Sequence, residues 1–454
     1  NGIGLDASIS TFTEALRQNG YCTHLAGKIH LNTSKPPNGV PLDEVDPVQH
    51  PECGALWQAG RITELPLPYY GLARVDLANG HGHGQRGDYR TWLEREYPDA
   101  TRLLEERVPL EETSEAYNLF NRMSYKWALP AELHPTAWIT ERSIDFLNEQ
   151  GRRHKTGDQQ PFCHFCSIQD PHSPFAPPAP YCYRYNPEDV PPPVGREGEL
   201  DELPPHFRAM VEEDIVTSGN NGEAMNRTDP YYAECAAHYY GLIEQLDDRI
   251  GRVMDALEAN GLKENTVVLF VADHGEALGD HGLWGKGPYH IDSVIRVPLL
   301  VSWPGHTTPG SHHEGVVSLL DFAPTILDAA GVPIPEGDAP PEPEAPEAPP
   351  AWPGRSLVPV LEGRDTSTDT CAVVEMDEDY LGFKMRTLVT KRYRLTCYSG
   401  RSYGELFDLN EDPDELYNLW DNPDYQKLRD ELRLQLLDEM MKSDISLPRQ
   451  IARS

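Results

Sequence analysis

A continuous apolar run, Thr266 to Ala272, leads directly into Asp273-His274-Gly275-Glu276. A run of that type and length predicts a strand apolar on both faces, which belongs inside a sheet covered on both sides, usually a parallel one. In open α/β sheets ligands gather beyond the carboxyl ends of the strands, so Asp273 and His274 fall where polar groups meet a substrate. An oxygen and an imidazole there make half of a divalent-metal site. Taken alone, an Asp-His pair after a strand more often makes only local hydrogen bonds. The sequel favours chemistry, because Gly279-Asp280-His281-Gly282-Leu283-Trp284-Gly285-Lys286-Gly287 is dense in glycine and ends with one lysine. Glycines let backbone approach a ligand closely, and Lys286 among them is a mobile cation suited to an anionic group.

Further cationic candidates come from elsewhere in the chain. Lys28 and His30 lie just beyond a predicted strand at Tyr21 to Leu25, two residues apart, so in extended backbone they point the same way. His172 sits in Asp170-Pro171-His172-Ser173-Pro174, after a predicted strand at Phe162 to Ile168, where the prolines stiffen a turn. Each histidine is also readable as a hydrogen-bonded loop residue; together these positions suit a tetrahedral oxyanion beside a metal. Two other patterns carry less. Cys163 and Cys166 form a C-x-x-C within a strand, where residues three apart face opposite ways, and no second ligand pair follows at zinc-site spacing. His81-Gly82-His83 could bind metal but reads more simply as a flexible loop.

The elements that must position these residues are legible. Thr11 to Asn19 predicts a helix, with Thr11 and Glu14 as a capping box and Gly20 as its stop. Tyr231 to Asn260 carries Leu242, Ile243, Leu246, Ile250, Val253, Met254 and Leu257 at helical spacing. Pro298 to Ser302 predicts a second buried strand, and Asp321 can cap a helix running to Ala330. This alternation points to an α/β sandwich with a mostly parallel central sheet. Between Val332 and Trp352 a tract of Pro, Glu and Ala reads as an exposed insert, about residues 332–353. After it, short strands at Cys371 to Glu375, Phe383 to Thr390, Tyr393 to Tyr398 and Glu405 to Leu409, then a helix from Tyr425 to Met441, predict a small antiparallel sheet with one packed helix. We therefore expect an α/β domain over 1–365 and a smaller α+β subdomain over 366–454.

Composition narrows the partners. Against 39 basic residues stand 73 acidic ones, a formal charge of -34, which argues against nucleic acid or an anionic membrane as a ligand of the general surface. No stretch approaches the roughly 18 to 20 apolar residues of a membrane span. The chain opens with Asn1-Gly2-Ile3-Gly4 and not a methionine, so the lack of a leader carries no weight and localisation stays open. Asn32-Thr33-Ser34 and Asn226-Arg227-Thr228 match glycosylation acceptors, relevant only in a secreted eukaryotic protein. Oligomeric state is not readable.

Taken in order, Gly27-Lys28-Ile29-His30-Leu31, Asp170-Pro171-His172, Asp273-His274-Gly275-Glu276 through Lys286, and Glu405-Leu406-Phe407-Asp408-Leu409 with Asp412-Pro413 and Asn418-Leu419 resemble the type I sulfatases across nearly the whole chain. The resemblance implies a formylglycine-dependent hydrolase with an alkaline-phosphatase-like fold. It implies metal ligation by Asp273 and His274, sulfate contacts from Lys28, His30 and Lys286, and a leaving oxygen stabilised or protonated by His172 with Lys286. The metal implied is Ca2+, with Mg2+ or Mn2+ as the variants. The six residues are expected to converge on one oxyanion.

One departure is large. Family members carry two N-terminal metal-binding aspartates and a C/S-x-P-x-R motif before the Gly-Lys-x-His element, and no Cys or Ser here is followed by Pro two residues on and Arg four residues on. A chain lacking its N-terminal part is expected, inactive by itself. Two rivals to sulfate ester hydrolysis remain: a phosphonate or phosphate ester hydrolase on the same scaffold, and a noncatalytic binding protein of the same fold. The side-by-side Lys28 and His30 favour a sulfate monoanion, and the acidic surface favours small or lightly sulfated esters over an extended polyanion.

Overall fold

A computed structural model describes residues 4–6, 9–106, 108–110, 124–212, 232–334, 354–378 and 381–443. Most of the Pro-rich tract and the Asn226 acceptor lie outside the described residues. The chain forms two compact units, one of Asn1–Pro192 with Asp229–Thr266, the other of Pro193–Thr228 with Val267–Ser454. This partition differs from a division near residue 365: the antiparallel sheet lies wholly within the second unit.

In the first unit, helix α1 (Phe12–Gln18) starts where the Thr11 hydroxyl accepts the Glu14 N–H at 3.2 Å. The Glu14 carboxylate binds Arg17 at 2.7 Å, so the cap has its expected first half while the acid is drawn to a cation. Gly20 ends the turn at φ +87°. Strand β1 (Cys22–Gly27) is the middle of a parallel sheet, between β2 (Arg74–Leu77) and, after helix α2 (Pro135–Lys155), β3 (Phe162–Ser167). Registers run from His24 against Arg74 and from Cys22 against Phe162. Hence Thr23, His24 and Ala26 are fully enclosed, and Trp138 and Ile139 of α2 pack with Ala26 and Ala78. Helix α3 (Tyr232–Ala259) fills the segment expected to be helical, and Asn260 just beyond it donates to Asn148 of α2 at 2.8 Å. On β3, burial pushes the Cys163 thiol up to about 12 and the Cys166 thiol up to about 11. Redox and metal chemistry use the thiolate, so both act as small apolar residues.

In the second unit, β4 (Val268–Val271) occupies the predicted apolar run, and its partner β5 (Leu299–Ser302) matches the second predicted strand. Their pairing corrects the expectation of a parallel setting for the run. Val268 faces Ser302 and Val271 faces Leu299 in antiparallel register, and Val271 and Leu300 keep exposed side chains. The expected burial on both faces is not seen either, since every residue of both strands is half-buried or exposed; an apolar run reports strand type and not direction. Here the connecting loop doubles back, with Gly275 N–H on Val294 O at 2.7 Å and Glu276 N–H on Ser293 O at 3.1 Å, and returns the chain beside itself.

Helix α4 (Phe322–Ala329) follows a 3-10 turn at Leu319–Asp321. Asp321 works one turn earlier than expected, closing a capping box with Ser318, whose N–H it accepts at 2.8 Å. The strands β6 (Cys371–Glu378), β7 (Phe383–Thr390), β8 (Tyr393–Tyr398) and β9 (Gly404–Asp408) form the expected antiparallel sheet in sequence order. Leu432 and Leu436 of helix α5 (Gln426–Ser443) pack on Leu388, Leu395, Leu406 and Trp420. Within this sheet Arg394 is buried, bound to Glu405 at 2.9 Å and to Glu415. Burial alone would discharge it, but the two carboxylates outweigh that and hold the guanidinium firmly charged. Among the described residues no helix is long and apolar enough to cross a membrane.

Candidate active site

The six candidate residues divide evenly: Lys28, His30 and His172 belong to the first unit, Asp273, His274 and Lys286 to the second. Each trio is described within its own unit.

Lys28 leaves β1 through Gly27, whose φ is +117° and whose Cβ, if present, would lie 1.9 Å from Ser167 O. Only glycine fits that approach. The Lys28 N–H then bonds Ser167 O at 2.9 Å, continuing the parallel ladder one residue past the strand. Ile29 is buried among Leu25, Leu72 and Leu77, whereas Lys28 is half-buried and His30 exposed, the alternation expected of extended backbone. Two side chains fix this backbone. Asn79 Oδ1 accepts the Ile29 N–H at 2.8 Å, and the buried Glu52 Oε1 accepts the N–H groups of Leu31 and Asn32, both at 2.9 Å. Burial raises the Glu52 carboxyl, opposed by those bonds and by the Tyr69 hydroxyl at 2.7 Å.

His172 sits on the turn after β3. Its Nδ1 lies 2.7 Å from Ser173 O, and because a carbonyl can only accept, Nδ1 carries hydrogen. Nε2 is therefore the nitrogen that holds or gives up a proton, the arrangement a general acid needs. The His81 ring stacks on His172 with centroids 3.8 Å apart and planes 15° apart. The His81-Gly82-His83 stretch leads into a 3-10 turn at Gly82–Gly84 where a flexible loop was expected, and its first histidine is engaged with a candidate site residue.

In the second unit the same bond recurs: His274 Nδ1 lies 2.7 Å from Gly275 O, again leaving Nε2 as acceptor. That Nε2 is 2.8 Å from Lys286 Nζ and 3.7 Å from Asp273 Oδ2, so Asp273, His274 and Lys286 do come together. Gly275 admits no side chain, since a Cβ would lie 1.9 Å from Ser293 O. The loop that carries Lys286 closes on Glu276, whose carboxylate accepts the N–H groups of Gly285 and Leu278, while Ala277 N–H bonds Gly285 O at 2.9 Å. Burial raises the Glu276 carboxyl, opposed only in part by the two backbone donors and the Lys286 charge. Asp273 can offer a cation one carboxylate, and His274 only the Nε2 lone pair that Lys286 Nζ occupies here, a donor set suited to part of a Ca2+, Mg2+ or Mn2+ shell once that ammonium turns away. Among the described residues no group of three or more His, Cys, Asp or Glu is placed to hold a metal.

Asn79 and Glu52 stand in none of the motifs, and the motifs assign no structural part to His81 or Glu276. Glu276 stands inside the Asp273 string and His81 inside a Gly-rich histidine pair; those were the available signals. Asn79 and Glu52 act across 50 and 21 residues, which spacing does not report.

Against known proteins, the sulfatase family model matches residues 2–332, and the N-sulphoglucosamine sulphohydrolase C-terminal model matches 343–442. The chain belongs to the sulfatase family. It is 31% identical over 322 residues to an arylsulfatase of Clostridium perfringens, covering 70% of this chain and 60% of the relative. It is 30% identical over 320 residues to the multifunctional alkaline phosphatase superfamily protein PehA of Trinickia caryophylli, covering 66% and 58%. The chain thus spans about 60% of the length of these relatives. In three dimensions it resembles the phosphonate monoester hydrolase of Agrobacterium radiobacter, with TM-score 0.73, 25% identity, and coverage of 97% of this chain and 82% of that one. This sulfatase family member therefore has an alkaline-phosphatase-like α/β fold with a small C-terminal antiparallel sheet.

Proposed function

We propose that the protein serves sulfate ester hydrolysis. The observation that carries this reading is the Asp273-His274-Lys286 arrangement, with Lys286 Nζ 2.8 Å from His274 Nε2, in a chain of the sulfatase family. Lys28, His30 and Lys286 neutralise charge on the non-bridging oxygens of the ester. His172, with hydrogen fixed on Nδ1, holds the transferable proton at Nε2 for the departing oxygen. Asp273 and His274 contribute two ligands to a divalent cation, Ca2+ first, with Mg2+ and Mn2+ as alternatives; when bound, such an ion lowers the pKa of a ligated hydroxyl and clamps an oxyanion. The nucleophile in this reading is a formylglycine, and residues 1–454 contain no C/S-x-P-x-R motif to generate one. The substrate class is a small or lightly sulfated ester, because the net charge of -34 disfavours an extended polyanion.

The resemblance to a phosphonate monoester hydrolase supports a second reading, in which the same cations hold a phosphonate monoester. The test uses a chain that carries an oxidised C-x-P-x-R motif and compares aryl sulfate, aryl phosphonate and aryl phosphate with each metal. Highest kcat/KM on sulfate supports the proposal, and phosphonate preference supports the second reading. Tight sulfate binding without turnover would indicate a noncatalytic binding protein.

A further inference from the structure

We propose that the loop 79–86 is a brace for the proton-donating turn, with His81 as the positioning residue that sets the imidazole plane of His172. The inference rests on reading His172 as the group that protonates the leaving oxygen.

The loop is closed and fastened at several points. Asn79 and Arg86 exchange backbone hydrogen bonds at 3.2 and 2.7 Å, which pins its two ends together. Gly80 has φ +94°, and a Cβ there would lie 2.1 Å from Gly84 O, so the inside of the loop is filled by its own backbone. Gly84 N–H returns to His81 O at 2.9 Å, and Gln85 Nε2 donates to Gly80 O at 3.2 Å.

Three contacts then seat this loop on the His172 turn. Gln169, whose carbonyl accepts the His172 N–H at 3.1 Å, donates from its side chain to Gln85 Oε1 at 3.1 Å and also to Ala78 O. Gly82 lies so close to Pro174 that a Cβ would sit 2.3 Å from the proline ring. His81 covers the His172 ring face to face at 3.8 Å. The Nδ1 bond to Ser173 O fixes one atom of His172 but leaves the ring free to tilt about that bond. A stacked partner removes the tilt and so fixes the direction of Nε2. Asn79, at the loop's other end, holds the Ile29 N–H between Lys28 and His30. One loop therefore ties the backbone of the Lys28–His30 segment to the ring that would donate the proton.

A misaimed proton donor matters most when the leaving oxygen is a poor leaving group, because protonation then contributes most to the barrier. The test is made in the formylglycine-bearing chain on a series of sulfate esters from nitrophenyl to alkyl. His172→Ala, His81→Ala and His81→Phe are compared, with thermal unfolding as a control for the fold. His81→Ala should lower kcat about tenfold or more on the alkyl ester and little on the nitrophenyl ester, with KM nearly unchanged. His81→Phe, which keeps an aromatic face over His172, should recover most of that loss. The Nδ1–H NMR signal of His172 should broaden in His81→Ala and sharpen again in His81→Phe. If His172→Ala shows the leaving-group dependence and His81→Ala does not, the brace is overturned while the proton-donor reading stands. If neither does, both fall. Loss of rescue by His81→Phe in a stably folded protein would also overturn the brace.

Discussion

The turn that carries His172 and the turn that carries His274 use one device for different ends. Each histidine gives its Nδ1 hydrogen to the carbonyl of the next residue, at 2.7 Å in both cases. That bond selects the same tautomer twice. The difference lies in what else meets the ring. The face of His172 is covered by a second imidazole, which constrains its orientation. His274 meets the ammonium of Lys286 and the carboxylate of Asp273, an environment of full charges. The tautomer alone does not decide whether an imidazole is a proton carrier or a ligand; its neighbours do.

The strongest way to break this comparison is His172→Ala in the formylglycine-bearing chain. Turnover of an alkyl sulfate should fall by about 10²- to 10⁴-fold, the range of a general acid, with a much smaller loss on nitrophenyl sulfate. Equal losses on both would mean that His172 is not protonating the leaving oxygen. Lys286→Ala should cost about 10²- to 10³-fold in kcat, the effect of removing one oxyanion donor, with a leaving-group dependence weaker than that of His172→Ala because Lys286 also contacts the non-bridging oxygens in this reading. A dependence as steep as that of His172→Ala would erase the distinction between the turns.

The braces differ in stability terms as well. Gly275→Ala forces a methyl group to within 1.9 Å of backbone at Ser293, where no side chain can yield, and should destabilise the protein by about 3 kcal/mol. Asn79→Ala leaves the Ile29 N–H without its acceptor and should cost about 1 to 3 kcal/mol, measurable by denaturant unfolding. If Asn79→Ala were neutral, the Lys28–His30 backbone would not depend on that loop.

The last expected effect is on acid stability and vanishes near neutral pH. Burial lowers His290 to about 3, beside Thr387 Oγ1 at 2.8 Å, and lowers His206 to about 4. Each takes up its proton more readily when unfolded, so their contribution is present above pH 6.5 and is lost as the pH falls through 6.5 towards 4. His290→Gln should flatten the stability slope in that window by up to one proton, about 1.4 kcal/mol per pH unit. An unchanged slope would show that His290 is already accessible to protons when folded.

Much of this was readable from the residues. The four strands of the C-terminal sheet fall within a few residues of their expected bounds because alternating apolar residues and turn signals are local information. The same holds for the Thr11 cap and for helix α3. The direction of β4 was not legible, since the apolar run Thr266 to Ala272 encodes a strand and the antiparallel return is set by Gly275 and Glu276 pairing with residues 293 and 294. The Asp273, His274 and Lys286 contact was anticipated, whereas the roles of Asn79 and His81 depend on contacts that span 50 and 91 positions of chain. The part Glu276 plays is not legible, because a buried acid that accepts backbone donors looks, in sequence, like any surface glutamate.

The buried Arg394 has a consequence for synthesis at the ribosome. Its partner Glu415 also accepts the Asp292 N–H, at 2.8 Å, from a segment made 123 residues earlier. During translation the stretch that follows the Lys286 loop must therefore wait, with that donor solvated, until Glu415 has cleared the exit tunnel. A chain ending before residue 415 would leave Arg394 with the Glu405 carboxylate but without that of Glu415, and the Asp292 N–H without this acceptor.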